Sequence, residues 1–341
     1  MSLSAMRVRP VAGGIYFVVS LFLAALFLPP AGDAGPLDAP LQTAKARFEA
    51  GAYSASITAL KDLLAGNPED AEAHFWMARC HYELHDYDNS VEQAKRAVER
   101  DPKNSLYHQW LGRAYGGKAD RRKSFLLARK VKQELEKAVE LNPSNISARR
   151  DLQRFYMEAP WIVGGSRNKA LMTADAIAAM DAVEGHLAHA EYYRQVLHNR
   201  EFAEKEYLSV LMMKPAQIGP YLEIAEYYVL RENVSALESV LRDATSADPS
   251  DARLFFYRGV AGIISGSSPK AAQEQLTLYL SRPERSDWPS HAEAREWAGR
   301  LLEKQGNLAG AAGEYREALK TEPGRKETRA RLDRLERSLK R

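Results

Sequence analysis

One cysteine, Cys80, leaves no partner for an intramolecular disulfide and no thiolate set for a structural zinc. An excess of one charge is also lacking. The 48 Lys and Arg against 45 Asp and Glu leave +3, too small a surplus for a dedicated nucleic-acid binder, whose phosphate contacts demand many unmatched cations. After residue 28 no charge-free apolar run approaches the roughly 20 residues of a spanning helix. Catalytic signatures are missing as well: there is no Gly-x-x-x-x-Gly-Lys loop, His-Glu-x-x-His motif, serine elbow or dinucleotide fingerprint. We therefore expect no enzyme, no cofactor and no metal, the one alternative on that side being an enzyme with an unrecognised site assembled from distant positions. What remains, 45% hydrophobic and 27% charged residues, is enough to bury a large core.

The amino terminus carries an address. Arg7 and Arg9 precede an apolar run from Ile15 to Leu28, then Pro29, Pro30 and small residues ending at Ala34, the three-part layout of a secretory signal. The run is shorter than a comfortable span, so residues 1–34 are expected to be a cleaved signal, with retention as an inner-membrane anchor as the alternative. In either case the basic flank stays inside and the remainder faces outward. The expected location is exported, periplasmic or cell-envelope.

Repetition dominates the rest. Asn67-Pro68, Asp101-Pro102, Asn142-Pro143, Asp248-Pro249 and Glu322-Pro323 each end an apolar helical stretch, with a period near 34. Between 71 and 104, Met77, Ala78, His81, Tyr87, Ser90, Ala94, Ala97 and Pro102 mark a unit of two helices, whose small residues let helix axes approach and whose proline stops the second helix. This pattern resembles the tetratricopeptide repeat. The resemblance implies an all-α, right-handed superhelix with about eight helix pairs: 37–70, 71–104, 105–145, 146–185, 186–217, 218–251, 252–285 and 292–325. Ala78 and Gly112, Ala271 and Ala311 are expected to pack within units, and Ala97, Ala138, Ala244 and Ala318 between them. The third unit gains residues around 116–124 and the fourth around 158–169. The fifth is irregular, with Lys205 where a small residue belongs. Residues 326–341, with Leu332, Leu335 and Leu339 on one face, are expected to cap the stack.

The resemblance also implies a binding protein whose concave groove holds a segment of a partner. Lys45, Arg79, Arg113, Arg154 and Arg194 recur at the ninth position of successive first helices; the column breaks at Glu226 and Val260 and resumes at Arg300. A positive inner wall would suit an acidic or carboxylate-bearing peptide, and the competing reading is a solvated face. Phe75 and Tyr82 flank the column as apolar anchors or as ordinary packing. The loop containing Trp161, Gly164, Gly165 and Arg167 offers amides that could meet an anion; the preferred expectation has Trp161 folding back on the solenoid, and the alternative is a protruding contact for a partner. His81 and His85 lie four apart without a metal motif, and Cys80 sits where a buried thiol belongs. Lys118, Arg121, Arg122, Lys123, Arg129, Lys130 and Lys132 form a basic insertion suited to anionic lipid or simply to water. Together with a retained amino-terminal helix it defines an alternative, a membrane-associated assembly or trafficking factor.

Overall fold

The computed structural model describes residues 38–339; the signal or anchor expected over 1–34 lies outside them. Within them the chain is all-α and superhelical, with no strand among the described residues. Eight helix pairs follow one another: α1 Asp38–Glu49 with α2 Tyr53–Gly66, α3 Ala71–Glu83 with α4 Tyr87–Arg100, α5 Ser105–Arg122 with α6 Phe125–Leu141, and α7 Ile146–Glu158 with α8 Arg167–Ala178. Then come α9 Ala182–Gln195 with α10 Arg200–Met213, α11 Ile218–Leu230 with α12 Val234–Ala247, α13 Arg253–Ser265 with α14 Pro269–Leu280, and α15 His291–Lys304 with α16 Leu308–Thr321. Helix α17, Lys326–Leu339, closes the stack by burying Leu332 and Leu335 against α16.

Local chemistry sets the helix ends. Asn67, Asp101, Asn142, Asp248 and Glu322 are the carboxy-terminal caps of five second helices, each followed by proline, with ψ between 78° and 99°. The proline ring disfavours helical geometry at the residue before it, so the helix ends there. Asp70, Asn104, Asn145 and Asp181 accept amide protons at the starts of α3, α5, α7 and α9, each cap contributing about 1 kcal/mol. Ala97, Ala138, Ala244 and Ala318 are wholly buried. At Gly112 a Cβ would lie 2.9 Å from a Leu135 methyl, so any larger residue there would have to displace Leu135 for α5 and α6 to approach this closely.

Three details differ from the sequence expectation. Helix α9 opens at Ala182 under the Asp181 cap, so no unit boundary falls at 185–186; Ala203, fully buried, fills the place assigned to Lys205, which is exposed and pairs with Glu201. In the seventh pair Ala272, not Ala271, packs against Gly259 and Gly262, the turn at Gly266 with φ 69° having shifted the register by one. The residues added near 116–124 form no irregular insert. They lengthen α5 and α6 into helices of 18 and 17 residues.

First helices pack on first helices along the inner side, from α1 through α15. The superhelix then returns on itself. The segment between α14 and α15 reaches the first two pairs: Tyr53 Oη donates to the Glu284 carbonyl at 2.9 Å, Arg285 meets Glu49 at 3.2 Å, and the Ser286 amide donates to the Glu83 carboxylate at 2.7 Å. Gly51, with φ 73°, lies so close to Pro283 that a Cβ would overlap it. Gly51→Ala should therefore lose about 1–2 kcal/mol from its left-handed backbone alone and also part this clasp. Gly51→Asn, which tolerates positive φ better but carries the Cβ, separates the two effects. Hydrogen exchange at the Ser286 amide is the measurement: protection should fall in both variants while α11–α13 amides stay slow, and unchanged protection would show that the clasp survives the clash.

Candidate functional site

The first helices enclose a cavity of about 980 Å³ on the concave side, lined from α5 to α15 and closed by Ser286, Asp287, Trp288 and Pro289 of the returning segment. Leu222 and Phe256 form part of its apolar floor. Its charged lining is Arg113, Arg150, Arg154, Arg194 and Arg253 against Asp151, Asp181, Glu184, Glu191, Glu223, Glu226, Asp287 and Glu293. Eight carboxylates against five arginines make this lining net negative: up to α9 the charges balance at four each, and the surplus comes from α11 onward, past the break in the column, while Lys45 and Arg79 do not line this cavity.

Three of the five column cations, Lys45, Arg113 and Arg154, meet carboxylates. Lys45 pairs with Glu72 at 2.6 Å. Arg113 donates to Asp151 at 2.6 Å and stacks 5.0 Å from the Trp110 ring. Arg154 reaches Glu191 at 3.7 Å; burial works against its charge, but Glu191 and Asp151 outweigh it and raise its pKa. Arg300, after the break in the column, stacks 3.8 Å from Trp297 and pairs with Glu232. Two arginines are different. The Nε atoms of Arg79 and Arg194 are buried without a hydrogen-bond partner among the described residues. Arg79 is held by π faces instead, its guanidinium 4.3 Å from Trp76, 4.4 Å from Phe48 and 4.8 Å from Trp110, and burial lowers its pKa.

The apolar flankers divide. Phe75 is 4% exposed and packs among Trp76, Tyr107 and Trp110, so it belongs to the core. Tyr82 is half-buried against Tyr87 and Trp110, and it lines a second groove of about 630 Å³ beside α6 and α7.

Sequence reasoning passed over the centre of the cavity, Arg150. It contacts Glu223 at 2.9 Å and both Glu184 and Glu191 at 3.4 Å, joining α7 to α9 and α11. Burial opposes its charge, yet Glu223 and Glu191 outweigh that and raise its pKa. Glu184 is pushed up as well, by burial first and despite Arg150. The two directions agree once the charges are counted: three carboxylates share one guanidinium. The signal was present, because Arg150 holds the fifth position that is Phe75, Leu222 and Phe256 in other units. Glu293 is pushed up to about 7 by burial, with Glu226 and Glu296 adding to it against Arg325. Burial likewise raises Glu226.

The loop after α7 contradicts two readings. Trp161 is 83% exposed and does not fold back; Val163, at 3%, is the residue that docks. The amides of Val163, Gly164, Gly165 and Ser166 donate to Pro160, Trp161, Pro160 and Tyr156 carbonyls, so they are not free to cradle an anion. Gly164 has φ 106°, and a Cβ at Gly165 would overlap the Ala159 carbonyl, which explains both glycines. Arg167 is exposed at the start of α8. His81 and His85 bond Asp86 and the Tyr87 hydroxyl separately. Cys80 is fully buried, and burial holds its thiol at about 11, leaving it protonated and inert at neutral pH.

Two stretches match family models described as tetratricopeptide repeat, residues 47–114 and 279–326. No curated protein sequence matches the chain. Among solved structures it is similar to a thermophilic tetratricopeptide-repeat protein of Thermus thermophilus, at 24% identity and TM-score 0.43, over 52% of this chain and 90% of that one. It is also similar to a chain of the Cut9–Hcn1 hetero-tetramer of the APC/C, at 13% identity and TM-score 0.51, over 87% of this chain and 55% of that one. A tetratricopeptide-repeat protein from Parabacteroides merdae is 18% identical, with TM-score 0.48, over 78% of this chain and 98% of that one.

Proposed function

Because the chain is a tetratricopeptide-repeat protein, we propose that it is a non-catalytic scaffold holding a segment of a partner protein in its concave cavity. The observation that carries the ligand chemistry is the charge count of the wall, eight carboxylates to five arginines, with Glu226 and Glu293 buried and short of compensating charge. A segment that brings lysine or arginine satisfies them; the acidic guest that a positive column would have suited meets a surplus of its own sign. Shape and charge select the guest, and the guest's cations relieve the repulsion among these carboxylates.

Short peptides rich in Lys and Arg, or in Asp and Glu, are the probes, read by fluorescence anisotropy on the full chain. The basic probe should bind at least about tenfold more tightly than the acidic one, on the order of 1.4 kcal/mol, and salt should weaken it. Glu226→Gln with Glu293→Gln should remove most of that preference. Tighter binding of the acidic probe, lost in Arg79→Gln with Arg194→Gln, would return the groove to an acidic guest.

Export to the cell envelope is part of the same proposal. It is supported by the Arg7, Arg9 and Ile15–Leu28 pattern. Amino-terminal sequencing of the mature protein distinguishes cleavage near Ala34 from an anchored chain.

A further inference from the structure

The long α5–α6 hairpin carries a surface that the groove does not use. Both helices run about one turn beyond their counterparts in other pairs, so their tip extends roughly 6 Å further. At that tip Phe125 is 59% and Leu126 68% exposed, and on the adjoining loop Trp161 is 83% and Ile162 43% exposed. The two groups are neighbours. Arg129, one turn after Phe125 on the same face, donates to the Ile162 carbonyl at 3.4 Å, and the Lys132 stem lies against Gly164.

Around these apolar tips positive charge predominates. Residues 118–132 and 160–169 hold nine Lys and Arg against Asp120 alone, a net +8, so a chain of +3 carries −5 everywhere else. Asp88, Asp120 and Glu136 are the carboxylates these cations meet: Lys118 and Arg122 share Asp88, Lys123 takes Asp120, and Lys132 and Lys169 share Glu136. Among the described residues Arg121 and Arg129 hydrogen-bond carbonyl oxygens and pair with no carboxylate. Large apolar side chains projecting from a cationic tip fit an interface whose outer layer is phosphate and whose next layer is hydrocarbon. A merely solvated face has no use for a tryptophan that is 83% exposed.

We propose that the α5–α6 tip and the 160–169 loop dock on an anionic lipid bilayer, with Trp161, Phe125, Leu126 and Ile162 entering the interfacial layer and the surrounding cations holding lipid phosphates. This surface acts independently of the groove's guest. Trp161 is the one exposed tryptophan among the described residues, Trp76, Trp110, Trp288 and Trp297 being buried or half-buried, which gives a local reporter.

The full chain is mixed with vesicles of neutral phosphatidylcholine, or of phosphatidylcholine with phosphatidylglycerol, each containing brominated lipid. Trp161 emission should shift to the blue and be quenched on the anionic vesicles only. Arg121→Glu with Arg129→Glu and Arg167→Glu should weaken binding roughly 100-fold. Phe125→Ser with Ile162→Ser should reduce quenching while leaving circular dichroism unchanged. Comparing the parent with the Phe125→Ser, Ile162→Ser variant separates this surface from partition of the apolar residues 15–28, which both proteins share. Equal binding to neutral vesicles, no binding to either, or anionic binding without Trp161 quenching would each overturn the proposal; the last would mark a surface for a soluble polyanion.

Discussion

Arg150→Ala should destabilise the fold by about 3–5 kcal/mol at neutral pH, the usual cost of removing one partner from a buried ionic group. The Arg150 side chain is 12% exposed and the Glu191 side chain 7%, so water does little to compensate the carboxylates left behind. The effect has a sign in pH. Burial already raises Glu184 above its ordinary value and Arg150 works against that rise, so without the guanidinium the Glu184 carboxyl lies higher still. The penalty from Glu184 is then complete above its folded value and disappears as pH falls through it toward the ordinary carboxylate range. Urea unfolding of parent and variant, followed by far-ultraviolet circular dichroism, should show curves far apart at neutral pH that converge in acid. Arg150→Lys should recover part of the loss, restoring charge without the fork that spans three carboxylates. A constant gap at all pH values would mean that Arg150 acts through packing.

Glu293→Gln should act in the opposite direction, stabilising the protein by about 2 kcal/mol at neutral pH. A folded-state pKa of about 7 against an ordinary 4.5 corresponds to about 3 kcal/mol once the group is ionised in both states. From this comes off the roughly 0.3–1 kcal/mol that a negative charge in the first turn of α15 contributes through the helix dipole. The penalty is absent below about pH 4.5, grows as pH rises through the window to 7, and is complete above it. Parent stability should therefore decline across that window and the variant's should not. If the two proteins decline in parallel, the Glu293 carboxylate is better solvated than its burial indicates. The same substitution weakens a basic guest while strengthening the fold, so loss of binding there cannot be assigned to unfolding.

The helix pairs were legible because their determinants are local. Asn67-Pro68 stops α2 by a clash between adjacent residues, and Asp70 caps α3 through an amide three residues on. Alanine and glycine at fixed positions reveal close helix approach without any knowledge of what they face. Charge pairing was not legible, because Arg113 finds Asp151 across 38 residues and Arg150 finds Glu223 across 73. A column of arginines on one helix position says nothing of the carboxylates that the next first helices bring to it. The loop after α7 misled for a related reason. An aromatic residue usually leaves water by packing, but at 160–166 the backbone bonds leave only Val163 facing inward. The seventh pair failed by a single residue, which a left-handed glycine turn absorbs with no trace in the hydrophobic pattern.

The clasp between the first two pairs and the 283–286 segment sets an order of events. The ion pairs described elsewhere in the stack join units at most two apart, whereas Tyr53 and Glu284 are 231 residues apart. Closing so long a loop costs roughly 1.7 kcal/mol more chain entropy than closing one repeat of about 34 residues. That cost largely vanishes once the intervening helices are already assembled. The clasp is therefore expected to form late on folding, the first two pairs meeting the junction of the seventh and eighth only after the helices between them are in place.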